Sequence, residues 1–193
     1  MNKNKLIYGA LLGVALSQLH GCAAVVVGGA ATGAAVATDR RTTGVFVADQ
    51  EIELRAMTRL RETFPENTGG KISVTSYNRQ VLLTGQVPDE AVRARAADVV
   101  KSVPDVRTVF NELAVSGITS LTSRANDTTV TGNVKTRLLR NESVPGTQIK
   151  VVTEAGVVYL MGLLTQAEAG VATEVARTTS GATKVVTLFE IVK

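Results

Sequence analysis

The chain contains one cysteine and one histidine, and the two residues lie close together as His20 and Cys22. A thiol beside an imidazole could act as a nucleophile with its base, or as part of a metal site. Both residues, however, follow a short basic segment (residues 1–5) and an apolar run of about eleven residues (6–16). That run is too short for a membrane-spanning helix and has the flanks of an export signal, so we predict that the protein is exported from the cytoplasm.

The residues around the cysteine indicate how the signal ends. Leu19, Gly21 and Cys22 resemble the lipobox of bacterial lipoproteins. The resemblance implies that residues 1–21 are removed and that Cys22 then carries a diacylglycerol on its sulfur and an acyl chain on its new amino group. The alternative is an ordinary signal peptide followed by a buried thiol. Ala23 follows the cysteine where an aspartate could stand, which by resemblance to lipoprotein sorting favours the outer membrane and a lipid-anchored, periplasm-facing protein.

Processing before Cys22 would leave residues 22–193 without a histidine, a free thiol or a tryptophan. Nucleophile–histidine pairs, zinc sites of the Cys/His type and disulfides would then be excluded. P-loop and dinucleotide motifs are absent from the sequence. We therefore predict that the protein is not an enzyme, binds no metal and has no cofactor apart from the covalent lipid on Cys22. An envelope hydrolase that uses only carboxylates is the enzymatic alternative.

The net charge is modest. The chain has 21 Lys+Arg and 17 Asp+Glu residues, and two of the basic residues lie in the predicted signal, so residues 22–193 carry about +2. This charge and the envelope location argue against nucleic acid as a partner. The anchor already supplies membrane attachment, since a second acyl chain makes binding stable at ~0.8 kcal/mol per buried methylene. The folded part therefore needs to add only weak, orienting contacts.

Residues 22–48 are predicted to form the lipidated cysteine and a tether. Residues 23–37 are small and apolar, and as a helix they would rise only ~22 Å, which is less than the ~30 Å of a bilayer core. A flexible or membrane-hugging tether is therefore expected. The alternative is a self-association segment that packs through Gly29 and Gly33. No other feature predicts an oligomer, and we expect a monomer.

An internal repeat organises the chain from about residue 49 onward. Three positions recur 77 residues later: Ile72/Ile149, Val81/Val158 and Gly85/Gly162. We predict two tandem domains, residues 49–115 and 124–193, joined by an uncharged linker at residues 116–123. Each copy has the same order of periodic segments, α-β-β-α-β. An α+β fold satisfies this order if each small domain is a three-stranded mixed sheet with two helices on one face.

Three further positions have predicted structural roles. Asp89 is expected to cap the second helix of the first copy. Gly85 and Gly162 interrupt apolar strands, which is typical of positions where another backbone approaches closely.

Short apolar motifs connect the repeat to a known family. Residues 81–85 (VLLTG) and 158–162 (VYLMG) resemble the core of the BON domain, and residues 105–113 (DVRTVFNEL) resemble its closing turn and strand. With the lipobox, the chain resembles outer-membrane lipoproteins that carry two BON domains. The resemblance implies a non-enzymatic protein that binds anionic phospholipid, supports envelope integrity and acts at the division site. It places the lipid contact on the first helix of the second copy, residues 127–141.

The chemistry of that helix supports the expectation. The second copy has eight basic and six acidic residues, whereas the first has nine and ten. We predict that three basic and two apolar residues form the phospholipid-binding site: Lys135, Arg137, Arg140, Leu139 and Val130. At about 1 kcal/mol for each cation near an anionic surface, the helix could orient a tethered domain. A solvated helix face would explain the same cations, and Leu139 could instead lie between the two copies.

A second class of function stays open at this point. The domains could form a protein-interaction module that docks onto envelope assembly or division proteins. Such a module predicts specific protein crosslinks that survive removal of the basic residues, whereas a lipid-binding module predicts a preference for anionic vesicles.

Overall fold

Each repeat folds into two helices and three strands, in the predicted order. The structure is a computed structural model that describes residues 39–65, 70–117 and 121–193, without the side chains of residues 121 and 122. Cys22, the predicted signal and the apolar part of the predicted tether lie outside the described residues. The first domain contains α1 (Thr43–Thr63), β1 (Lys71–Tyr77), β2 (Gln80–Val87), α2 (Glu90–Lys101) and β3 (Thr108–Val115). The second contains α3 (Leu121–Arg140), a 3-10 turn (Gly146–Gln148), β4 (Lys150–Glu154), β5 (Val157–Leu164), α4 (Gln166–Arg177) and β6 (Lys184–Ile191).

The two sheets have the same mixed topology. In each, the central strand is antiparallel to the strand before it and parallel to the strand after it. The antiparallel pairs form hairpins, while a parallel pair needs a long crossover, which α2 and α4 supply. Asp89 caps α2 as predicted, because its carboxylate accepts a hydrogen bond of 2.8 Å from the Val92 backbone N–H. The predicted α+β class is confirmed.

Each domain buries an apolar core between its helices and one face of its sheet. The first core contains residues of α1 and β2, among them Ile52, Ala56, Leu60, Val81 and Leu83. The second core repeats them with Val130, Val134, Leu138, Val158 and Leu160. Burying one such side chain contributes roughly 1.5–3 kcal/mol, so each set of helices is held firmly on its own sheet.

The other faces of the two sheets pack against each other. Alternate residues of β2 and β5 point away from their own helices, and a third cluster is buried between the sheets: Tyr77, Leu82, Tyr159, Met161 and Leu163. The Tyr77 hydroxyl also donates a hydrogen bond of 2.8 Å to the backbone carbonyl of Gln148 in the second domain. The result is a helix–sheet–sheet–helix arrangement, in which the helices of the two domains lie on opposite outer faces.

Both leading helices begin earlier than the sequence predicted. The helix α1 starts within the predicted tether, because the Thr42 hydroxyl accepts a hydrogen bond from the Val45 backbone N–H and caps it. The helix α3 starts at Leu121, within the predicted linker at residues 116–123. Asp49 and Asp127 therefore occupy interior helix positions rather than helix starts, and both are buried.

Candidate functional site

The helix α3 carries all five predicted phospholipid-binding residues, but they do not form one surface, because they lie on different sides of the helix. Val130 is only 5% exposed and belongs to the core of the second domain. Its Cγ2 lies so close to Gly181 that a Cβ added to that glycine would approach it within 2.6 Å. The assignment of Val130 to a lipid-binding surface is therefore wrong, because its position on the helix faces the sheet.

Lys135 and Leu139 share one exposed flank of α3. Four residues of an α-helix turn through about 400°, so the two side chains emerge within about 40° of each other. Leu139 is 59% exposed and lies outside the cluster between the sheets, so it is a surface residue rather than part of the domain interface. Arg140 is exposed in the last turn. Among the described residues, neither Lys135 nor Arg140 has a carboxylate partner.

Arg137 lies on the opposite flank of α3, where it has a structural role. Its Nη1 donates to the carbonyl oxygen of Val175 (2.9 Å) and to the Thr179 hydroxyl (2.7 Å), and its Nη2 donates to the Thr178 hydroxyl (2.9 Å). These contacts place a cation at the C-terminal end of α4, where helix carbonyls lack intrahelical partners. The guanidinium therefore fastens α3 to α4.

The first domain repeats the Arg137 contact with Arg59. Its Nη1 donates to the Ser102 carbonyl oxygen at 2.6 Å and to the Ser102 hydroxyl at 2.8 Å, at the end of α2. The recurrence of a basic residue 78 positions apart was the sequence signal for this shared structural role. A charge reversal at Arg137 would consequently disturb the packing of the two helices as well as the surface charge.

Sequence reasoning missed the two buried aspartates. Asp127 accepts hydrogen bonds from the backbone N–H groups of Ala155 (2.9 Å) and Gly156 (2.8 Å) in the β4–β5 turn. Asp49 does the same in the first domain, with the N–H groups of Asn78 (2.9 Å) and Arg79 (2.7 Å). All four turn residues have positive φ. Each carboxylate thus fixes its hairpin to the leading helix, and the 78-residue spacing of the aspartates could have revealed it.

The segment just before α1 joins the two domains. Arg40 binds both carboxylate oxygens of Glu168 at 2.6 and 2.8 Å, and these hydrogen bonds lower the pKa of Glu168 to about 2. Arg41 binds Asp49 at 2.9 Å, and its guanidinium carbon lies 3.9 Å from the centre of the Tyr77 ring. The chain therefore enters the fold at the seam between the domains, with contacts to both.

A groove of about 340 Å³ lies at the same seam, next to α3. Its lining combines two cations, two carboxylates and three hydroxyls: Lys71, Arg124, Asp127, Glu154, Thr128, Thr131 and Thr153. Lys71 comes from the first domain and the others from the second. Lys71 Nζ lies 3.5 Å from Glu154, and the Gln86 side-chain amide donates to Glu154 at 2.7 Å. The groove is thus a polar site that both domains build.

Metal-binding clusters and membrane-spanning helices are both absent from the described residues. Residues 39–65, 70–117 and 121–193 contain no group of three or more His, Cys, Asp or Glu side chains that could hold a metal ion. Within the same ranges, the helices lack the combination of length and hydropathy that crossing a membrane requires.

Comparison with known proteins supports the assignment of the repeat. The BON domain pattern matches residues 48–117 and 126–193. The chain is 38% identical over 172 residues to the outer membrane lipoprotein DolP of Haemophilus influenzae, and this match covers 89% of each chain. It is 32% identical over 155 residues to a 21 kDa hemolysin of Actinobacillus pleuropneumoniae, with 80% of each chain covered. It is 34% identical over 113 residues to the osmotically-inducible protein Y of Escherichia coli, over 57% of this chain and 56% of that protein.

Proposed function

This chain belongs to the BON-domain family and is an outer-membrane lipoprotein, and from that premise we propose that its second BON domain binds anionic phospholipid through α3. The protein is non-enzymatic, faces the periplasm and supports envelope integrity. Its anchor is the covalent lipid on Cys22, and it needs no other cofactor. The observation that carries the proposal is a pair of cations, Lys135 and Arg140, that have no carboxylate partner among the described residues and lie on either side of the exposed Leu139.

The magnitude of this contact suits an anchored protein. Each basic residue near an anionic surface contributes about 1 kcal/mol, so Lys135 and Arg140 together contribute about 2 kcal/mol. Partial burial of Leu139 among lipid headgroups adds about 1 kcal/mol. A total near 3 kcal/mol, roughly a hundredfold in an equilibrium, orients a tethered domain but would hold a free one weakly.

The leading helix of the first domain is less suited to an anionic surface. Arg55 forms an ion pair with Glu51 one turn earlier, and Arg59 is engaged by Ser102 at the end of α2. The first domain also carries an excess of acidic over basic residues. Because the helices of the two domains lie on opposite outer faces, the proposal orients α3 toward the membrane and α1 away from it.

Vesicle flotation tests the proposal. The test uses unacylated mature chain with Cys22→Ser, because a fragment of the second domain alone would expose Tyr159, Met161 and Leu163. We expect binding to vesicles that contain phosphatidylglycerol, weak binding to phosphatidylcholine vesicles, and a decrease of the difference at high salt. The double change Lys135→Glu and Arg140→Glu should weaken binding at least tenfold.

The matched control is Arg95→Glu, an equal charge change per residue on the exposed surface of α2, which should leave binding nearly unchanged. Equal affinity for both vesicle types, or equal loss in the control, would refute the proposal.

A second candidate function has one observation in its favour. Val47 and Leu54, seven residues apart on one face of α1, are 59% and 64% exposed. Two large apolar side chains on an otherwise polar face suit a protein partner, such as an envelope assembly or division protein. This alternative predicts protein crosslinks that persist in the Lys135→Glu, Arg140→Glu variant.

A further inference from the structure

The groove between the domains lies on the same flank of α3 as the proposed membrane contact. Arg124, Thr128, Thr131 and Lys135 follow one another at spacings of four, three and four residues, which keeps them within about 60° around the helix axis. Leu139 continues the row. The groove is therefore an extension, toward the start of α3, of the surface that carries Lys135 and Leu139.

The two carboxylates in the groove already have partners. Both oxygens of Asp127 accept backbone N–H groups of the β4–β5 turn, at 2.9 and 2.8 Å. Glu154 accepts from the Gln86 amide at 2.7 Å and lies 3.5 Å from Lys71. Their charge is thus partly offset by the groups that hold them, and neither carboxylate forms an ion pair with Arg124.

Arg124 differs from Lys71, the other cation of the groove, because it has no ion-pair partner in the described part of the chain. Its Nε is buried and donates no hydrogen bond, and within the part of the chain that the structure describes its guanidinium has no carboxylate within 4.0 Å. A buried guanidinium N–H without an acceptor is unfavourable, because it has lost water and gained nothing in exchange. Because this Nε is shielded from solvent, an anion in the open groove would accept instead from the terminal Nη groups of Arg124.

The Thr131 and Thr128 hydroxyls donate within the protein, so the contacts to a bound phosphate ester would come from Arg124 and Lys71. The hydroxyl of Thr131 is hydrogen-bonded to that of Thr153 at 2.7 Å, and the Thr128 hydroxyl donates to the Arg124 carbonyl at 3.0 Å. Lys71 carries an ammonium group with three donors, which can bridge Glu154 and a bound anion. A guanidinium matches the paired oxygens of a phosphodiester, whereas an ammonium acts as a point charge.

We propose that this groove binds the phosphodiester headgroup of an anionic phospholipid between Arg124 of the second domain and Lys71 of the first. The inference rests on the proposed function, since it names a headgroup site that continues the same surface. It adds that lipid recognition requires both BON domains in their sheet-to-sheet arrangement, because each supplies one cation.

The test uses the unacylated chain with Cys22→Ser and three variants: Arg124→Gln, Lys71→Gln and the control Arg95→Gln. Both groove variants should lower affinity for phosphatidylglycerol vesicles about fivefold, and their effects should be non-additive if they hold one phosphate. The control should change little. Thermal melting of each variant separates a loss of binding from a loss of fold, and Lys71→Gln provides an independent variant if Arg124→Gln is destabilised.

Soluble probes identify the ligand. Short-chain phosphatidylglycerol should shift the NMR signals of the Arg124 and Lys71 side chains, while inorganic phosphate and short-chain phosphatidylcholine should shift them only at much higher concentration. If inorganic phosphate binds as well as the lipid, the groove is a free-phosphate site and the proposal is overturned.

The vesicle results distinguish the two proposals. If the groove variants bind like the parent while the Lys135→Glu, Arg140→Glu variant loses binding, the headgroup site is wrong and the proposed function stands. If the parent itself does not distinguish anionic from neutral vesicles, the proposed function fails as well.

Discussion

Replacement of Asp49 by alanine should destabilise the protein strongly. The carboxylate is 1% exposed and accepts four hydrogen bonds: from the Ser76 hydroxyl (2.7 Å), from the backbone N–H groups of Asn78 (2.9 Å) and Arg79 (2.7 Å), and from Arg41 Nη1 (2.9 Å). The change would remove the acceptor of the Ser76 hydroxyl, of two turn N–H groups and of Arg41 Nη1, while Arg41 would keep its ion pair with Asp39 at 2.7 Å. The leading helix, the hairpin and the entry segment would all lose their common contact.

The equivalent aspartate of the second domain, Asp127, provides a comparison for the size of this effect. Asp127 is 7% exposed and accepts only two backbone N–H groups. Hydrogen bonds to a charged group contribute about 1.5–3 kcal/mol each, with strong overlap when they share one acceptor. Removing one partner of a buried ion pair costs about 3–5 kcal/mol. We therefore expect Asp49→Ala to lower the free energy of unfolding by about 3–5 kcal/mol and Asp127→Ala by about 2–3 kcal/mol.

Urea unfolding followed by circular dichroism measures the difference. Glu51→Ala is the matched control on the same helix, because it removes an exposed carboxylate whose pair with Arg55 contributes only about 0.3–0.5 kcal/mol. If Asp49→Ala were no more destabilising than Asp127→Ala, the contribution of Arg41 and Ser76 would be refuted. If it matched Glu51→Ala, the buried carboxylate would have no structural role.

Two other predictions concern the interface and the strands. Burial raises the pKa of Tyr77 and of Tyr159 to about 12, so the stability that each contributes is fully present below about pH 10 and is lost as the pH rises through about 12. Tyrosinate absorbance should therefore titrate near pH 12 together with loss of the folded state, and titration near pH 10 without unfolding would contradict the buried interface. Gly85→Ala should lower the free energy of unfolding by more than about 3 kcal/mol, because the residue has φ +122° and a Cβ would lie 2.0 Å from the Lys71 carbonyl oxygen. Gly162→Ala should lower it by only about 1 kcal/mol, because the atom nearest to the added Cβ would be 3.4 Å away. Equal melting temperatures for the two glycine variants would refute this explanation.

Gly85 and Gly162 are equivalent positions of the repeat, but their surroundings differ. The sequence predicted a close backbone approach at both positions, and this is confirmed for Gly85. Gly162 has room for a methyl group with small adjustments and lacks a positive φ. The difference arises because β1 extends past Gly85, with Ile72 paired opposite it, whereas β4 begins at Lys150 opposite Met161 and so does not pair with Gly162.

The candidate site was predictable in part. Val130, Val134 and Leu138 recur at helical spacing and form an apolar seam along α3 that leaves Leu139 off it, in agreement with their burial. The same spacing could not separate Lys135 from Arg137, since both are basic and both lie off the seam. Only the contact with α4 assigns Arg137 to packing. Val130 was included in the site although it belongs to the seam, and its burial corrects this.

The sequence by itself determined the order of helices and strands and the existence of two related domains, because hydrophobic periodicity is local and each copy repeats it about 77 residues later. Tertiary structure decided which cations are available to a ligand and where the domains meet. The physical reason is that the role of an arginine depends on the acceptors around it. Arg137 donates to the carbonyl oxygen of Val175 near the end of α4, and Arg40 donates to Glu168 in the other domain. Arg124 lines a groove that Lys71 of the first domain completes, because the two sheets pack face to face.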